Sequence, residues 1–232
     1  MKQFFSAINY SLTHSSFLIV LILPLLLLDW ILYYILQKLD IPLGSFLDNQ
    51  VEVTQVIESS GLSLPILVFL IFLIVLNTVI YGSMMLAFAA IEEKTKVHPF
   101  VCITRSLKKF LPLLGCFILM SVAFQLGVIL FILPGFYLFA RLGLYPAYVM
   151  FENKNTGESL ALSWSATQAH GLKLFFLSLI FYGVSQIAST VLVLGSINMV
   201  SLVLLVFIKH FLLLPIFYLF YALYKSMKAG MN

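Results

Sequence analysis

Six residues inside apolar stretches carry the chemistry this sequence can offer: Asp29, Gln125, Arg141, Gln186, Lys209 and His210. A charged side chain at membrane depth is costly, and it is retained where it pairs, lines a cavity or serves a pathway. Counted along their apolar runs at about 1.5 Å per residue, these residues fall in the outer half of a bilayer or near its midplane. The layer has two readings. In one, a polar pocket faces the bundle interior, Asp29 pairs with Arg141 or Lys209, and one cation is left for an anionic ligand or lipid headgroup. The pair put forward first is Asp29 with Arg141. In the other reading the polar groups are interhelical glue, and Arg141 and Lys209 snorkel to the outer interface. His210, next to Lys209, is either a proton relay or a histidine hydrogen-bonded within the bundle.

Other constellations offer less. Glu92 and Glu93 are adjacent carboxylates, but at a helix end beside Lys94 and Lys96 they read as solvated charges. Ser163, Trp164 and Thr167 share a helical spacing in which the indole anchors at an interface and the hydroxyls bond backbone. Cys102 and Cys116 lack the spacing of a metal or disulfide framework. No Gly-rich phosphate loop, metal-ligand cluster or nucleophile elbow occurs. No catalytic residue, metal site or cofactor is therefore indicated, and a non-enzymatic protein is expected.

The elements that must position these residues belong in a bilayer. Of 232 residues, 62% are hydrophobic and 9% charged, with a mean hydropathy of +1.09. That composition lies far from a soluble globular domain, and the modest excess of 13 basic over 9 acidic residues is better explained by orientation in the membrane than by nucleic-acid binding, so no nucleic-acid partner is expected. The expected fold is all-α: a polytopic transmembrane helical bundle of about six spans with cytoplasmic amphipathic helices, forming a single integral membrane domain over residues 1–232. Residues 1–16 read as an interfacial helix, and spans follow over 17–36, 64–91, 112–133, 136–151, 174–194 and 199–224. The run 136–151 is short, since its 16 residues cover roughly 24 Å against a hydrocarbon core of roughly 30 Å. A Pro134-Gly135 pair is expected to turn the chain into it.

Charge sets the orientation. Lys2, Lys94, Lys96, Arg105, Lys108, Lys109, Lys154, Lys173, Lys225 and Lys228 fall on one side of this topology, and Lys38 stands with Asp40, Asp48, Glu52 and Glu58 on the other. The positive-inside rule places both termini in the cytoplasm. Residues 99–110, which open with a proline and alternate apolar with basic residues, are expected on the membrane surface. A parallel repeat over 64–133 and 136–194 is visible, each copy running from an apolar span through Glu93 or Glu152 and a lysine into an amphipathic segment and the next span. Any two cytoplasmic helical hairpins share that outline.

The stretch PGFYLFARLGLYPAYVMFENKNTGESLALSWSATQAHG resembles the signature of the YciC-like bacterial inner-membrane proteins, through Pro134, Gly135, Arg141, Glu152, Ser159, Leu160, Ser163, Trp164, Thr167 and Gly171. It is also similar to a hairpin in membrane domains associated with glycerophosphodiester phosphodiesterases. His170 departs from the pattern just before Gly171. The resemblance implies a multi-pass protein of the bacterial cytoplasmic membrane, in a family without an established activity. Two functions remain open: transport or handling of a lipid or other small anionic or amphipathic molecule through the polar layer, and a structural or partner-binding role for the amphipathic segments. Expected partners are membrane lipids and either another membrane protein or a second copy of the chain. The short fourth run favours the first function, because interrupted helices at membrane depth commonly line cavities, whereas the long apolar faces without an evident acidic or basic pathway through the bilayer favour the second.

Overall fold

A computed structural model describes residues 2–38, 61, 63–95, 97–194 and 199–229. Residues 39–60, which hold the acidic segment, Lys96 and the expected turn at 195–198 lie outside the described residues.

Helices account for the architecture, and no strand occurs among the described residues. In chain order they are α1 (Lys2–Thr13), α2 (Ser15–Lys38), α3 (Ser63–Glu92), α4 (Pro99–Leu107), α5 (Phe110–Leu130), α6 (Ile132–Leu142), α7 (Tyr145–Glu152), α8 (Thr156–Ala166), α9 (Gly171–Leu194), α10 (Met199–Phe211) and α11 (Leu213–Ala229). Four runs among the described residues are long and apolar enough to cross a membrane: Ser15–Ile35, Ser63–Glu92, Phe110–Leu130 and Val200–Ala229. The last combines α10 and α11, whose junction at Leu212 follows from Pro215. Proline has no N–H to offer the Phe211 carbonyl and crowds it, which disturbs the helix one turn upstream.

At 30 residues, α3 is about 45 Å long, more than a hydrocarbon core needs. Its two halves behave accordingly. Leu64, Leu67, Val68, Ile71 and Phe72 are exposed, as lipid-facing side chains are, whereas Ile80, Met84, Met85, Ala87 and Phe88 are buried in the centre of the protein core. Around that buried half pack α2, α4, α5, α7 and α11, and α1 lies against α2 and α11. The Tyr10 and Tyr218 rings stack at 4.0 Å to hold α1 on α11.

The fourth run departs from the sequence expectation, because residues 136–151 form two helices with a break at Gly143 and Leu144. Phe220 of α11 fills the space beside Gly143, where a Cβ would come within 2.3 Å of its ring. The backbone groups at the break are taken up by α8: Ser163 donates to the Arg141 carbonyl at 2.9 Å and accepts from the Leu144 N–H at 3.1 Å. The helical α7 that follows is a core element, with Tyr145 to Met150 all buried. Nor does the Pro134-Gly135 pair make the turn. Phe131, extended at φ −161° and ψ 143°, breaks the chain, and Pro134 and Gly135 lie inside α6. Gly135 is there for contact: a Cβ on Gly127 would lie 2.5 Å from the Gly135 Cα, so α5 and α6 meet backbone to backbone.

The two amphipathic helices are laid back along the spans that precede them. The eighth residue of α4, Ser106, donates to the Val79 carbonyl of α3 at 2.7 Å, and the eighth of α8, Ser163, bonds the end of α6. Their fourth residues, Cys102 and Ser159, are both buried, and both helices start from a side-chain cap, His98 and Asn155. Each preceding helix ends in a glutamate held by the last helix. Tyr221 donates to Glu92 at 2.7 Å with Lys225 paired to the same carboxylate, and Tyr224 donates to Glu152 at 3.2 Å with Lys228 at 2.9 Å. The counterpart of Glu152 is thus Glu92 rather than Glu93. The chain then turns through Lys94 and Asn153, the non-glycine residues with positive φ among those described.

Candidate functional site: an intramembrane cavity beside an ion pair

Asp29 enters the site from α2, where an aspartate in a leucine-rich helix is held in place by what faces it. Its residue is 6% exposed, and its Oδ2 lies 2.8 Å from the Lys209 Nζ of α10. The helices α2 and α10 pack directly on each other, so the pair spans one interface. His210, one residue on and 3% exposed, brings its Nε2 within 3.4 Å of the same oxygen and its Nδ1 within 3.0 Å of the Val206 carbonyl. The Tyr33 ring stands 5.6 Å from the Lys209 ammonium.

A cavity of about 280 Å³ opens beside this pair between α3, α5, α6, α9, α10 and α11. Its wall is largely apolar and rich in aromatic residues, with Tyr81, Phe117, Phe124, Phe136, Phe139, Phe181 and Tyr182. The lining also includes the polar residues Ser121 and Gln125 of α5, Ser178 and Ser185 of α9, and Lys209. Lys209 is thus shared between the two: its ammonium pairs with the buried Asp29 carboxylate, and the residue forms part of the cavity lining. A strongly apolar wall with a few convergent polar groups is the usual form of a small-molecule site. Gln125 and Lys209 are therefore brought together as the sequence suggests, and Asp29 and His210 stand behind Lys209. Gln186 lies on α9, and its side chain falls outside the described residues.

Arg141 is not part of this layer, which corrects the pairing put forward from sequence. It is 4% exposed and turns toward α8, where it donates from Nη2 to the Trp164 carbonyl at 2.5 Å and lies over the Trp164 ring at 4.3 Å, with Tyr137 at 5.8 Å. That carbonyl belongs to the last turn of α8, where unpaired C=O groups and the helix dipole favour a cation. Gly171 makes the room: a Cβ there would come within 3.0 Å of the Arg141 Cδ. Thr167 donates to the Arg141 carbonyl at 3.0 Å. The family-like residues Arg141, Ser163, Trp164, Thr167 and Gly171 thus form one structural joint between α6, α8 and the start of α9. Pro134 and Gly135 belong to the α5 and α6 contact, Glu152 to the α11 clamp, and Ser159 to the buried face of α8.

Sequence reasoning missed Tyr81, Ser121 and Ser178 on the cavity wall, because hydroxyls in apolar helices are common and carry no spacing signal. It also read Glu92 as a solvated charge and gave Lys109 no role beyond the cytoplasmic basic cluster. Lys109 instead donates to the Val149 and Met150 carbonyls at 3.3 and 2.8 Å, and burial holds its ammonium below the ordinary lysine pKa. Comparison with protein-family models, with curated proteins and with solved structures returns no match for this chain.

Proposed function

We propose that this chain is a non-enzymatic, multi-pass protein of a bacterial cytoplasmic membrane that binds a lipid or other amphipathic anion in the cavity beside Lys209, for transport or handling within the bilayer. The observation that carries the reading is the pairing of an apolar, aromatic-rich cavity with Lys209 as the lysine among its described lining residues. An apolar tail matches the phenylalanine-rich surface, and an acidic head matches Lys209. The alternative role, partner binding through the amphipathic segments, has less to draw on. The polar residues Ser106, Ser163 and Thr167 of those segments are committed to the neighbouring spans.

Both termini face the cytoplasm in this proposal. Support comes from the lysine and arginine asymmetry, and from the gathering of Lys109, Lys225 and Lys228 around the ends of α3 and α7. A relation to the YciC-like proteins agrees with this placement and rests on the stretch from Pro134 to Gly171.

Native mass spectrometry of the detergent-extracted protein tests the binding. The wild type is expected to carry an acidic amphiphile, and the double variant Asp29→Asn/Lys209→Gln, which removes both charges together, is expected to lose it. Equal retention by the double variant would reject the cavity as the binding site.

A further inference from the structure

The Asp29, Lys209 and His210 cluster places two potential cations against one buried carboxylate. The His210 ring is enclosed, with Nδ1 3.0 Å from the Val206 carbonyl and Nε2 3.4 Å from Asp29 Oδ2. Both neighbours are acceptors. A neutral imidazole that donates from Nδ1 to the Val206 carbonyl turns a lone pair toward the carboxylate at ion-pair distance, whereas the imidazolium turns a positively charged N–H toward it. The contested atom is also the one that binds Lys209, since Asp29 Oδ2 receives the Lys209 Nζ at 2.8 Å. Two potential cations therefore share the single negative charge of Asp29, and one of them, Lys209, lies on the cavity wall.

We propose that His210 is a proton site that releases Lys209 from Asp29 to an anion in the cavity, so that an amphipathic monoanion and one proton bind together. The proposal rests on the cavity reading above. Without the proton, Asp29 and Lys209 neutralise each other and the cavity presents a cation already satisfied. When His210 takes a proton from water onto its imidazole, Asp29 is neutralised by the imidazolium and Lys209 becomes an uncompensated cation. A monoanion in the cavity restores neutrality. In a low-dielectric interior, where an unpaired charge costs several kcal/mol, each of these two events favours the other.

The surroundings of His210 leave those partners in place. From α2 it meets Asp29, with Tyr33 near Lys209; across the cavity stand Tyr81 of α3 and Tyr182 of α9. The lysines of α11, Lys225 and Lys228, are engaged with Glu92 and Glu152 toward its other end.

The test uses a pyrene-tailed alkyl sulfonate as probe, because its charge is constant over the range in which histidine titrates, about pH 5 to 8. Binding to the detergent-solubilised full chain is measured calorimetrically in buffers of different ionisation heat, which counts the protons taken up per probe bound. The specific component is the saturable part absent from Asp29→Asn/Lys209→Gln. The expected result is an uptake approaching about one proton per probe and an affinity that weakens by up to about tenfold per pH unit on raising the pH. His210→Gln is expected to abolish the uptake and flatten the pH profile, and His210→Asn replaces it if that variant does not accumulate. Saturable binding by the wild type without proton uptake overturns the proposal and leaves the cavity reading standing, as does a pH dependence that persists without His210. Absence of saturable binding removes both.

Discussion

The Arg141 guanidinium sits 4.3 Å from the centre of the Trp164 ring and donates to the carbonyl of the same residue at 2.5 Å. One residue thereby meets the guanidinium twice, through a π face and through the end of a helix, while the buried Nε has no hydrogen-bond partner among the described residues. The basic residue that looked from sequence like the centre of an intramembrane site is the bolt that fastens α8 beneath α6.

Replacement of Arg141 by Gln is expected to lower stability in detergent by about 2 to 4 kcal/mol, from a charged hydrogen bond and a desolvated cation–π contact. Combined with Asp29→Asn, the losses should add, because the two residues share no partner. Reversible unfolding of the single and double variants checks this, and a coupling above about 1 kcal/mol would put the two charges back in contact.

For Asp29 and Lys209 the opposite holds. Asp29→Asn and Lys209→Gln each leave a charge unpaired in the bundle and should each cost about 3 kcal/mol or more, with the double variant recovering much of the loss. The same unfolding assay gives the coupling energy.

Ser163 serves two backbone groups at the α6 break, whereas Ser106 serves the Val79 carbonyl within an unbroken α3. Ser163→Ala leaves the Leu144 N–H and one Arg141 carbonyl bond unmet and should cost about 2 to 3 kcal/mol; Ser106→Ala should cost about 1 kcal/mol. Hydrogen exchange at the Leu144 amide should rise in the first variant and stay unchanged in the second.

At the α5 and α6 contact, a Cβ on Gly127 meets backbone rather than a movable side chain. Gly127→Ala should therefore destabilise by about 1 to 3 kcal/mol even though alanine is the better helix former. A thermal melt of the purified protein reads the sign.

Orientation has its own assay. Asp48→Cys should react with an impermeant thiol reagent on intact cells and Lys154→Cys should not. The native Cys102 and Cys116 are buried, so the background is low.

Much of this protein is set by properties that each residue carries alone. Hydropathy summed along the chain suffices for an all-helical membrane protein, since a backbone in lipid must satisfy its own hydrogen bonds and a helix does so within one segment. The inventory of costly groups, Asp29, Arg141, Lys209 and His210, is equally visible, because each stands out against its apolar neighbours. Partner choice is a different kind of quantity. Asp29 meets Lys209 because α2 packs on α10, and Arg141 meets Trp164 because α8 folds back under α6. Neither adjacency is encoded in a window of sequence. The break at Gly143 escaped for the same reason: residues 136–151 are apolar enough for one span, and only the Ser163 hydroxyl and the Phe220 ring, brought from other helices, make two shorter helices the better solution. Depth in the bilayer can be read in one dimension, whereas the side of a helix on which a charge finds its counterpart exists only once the helices have packed.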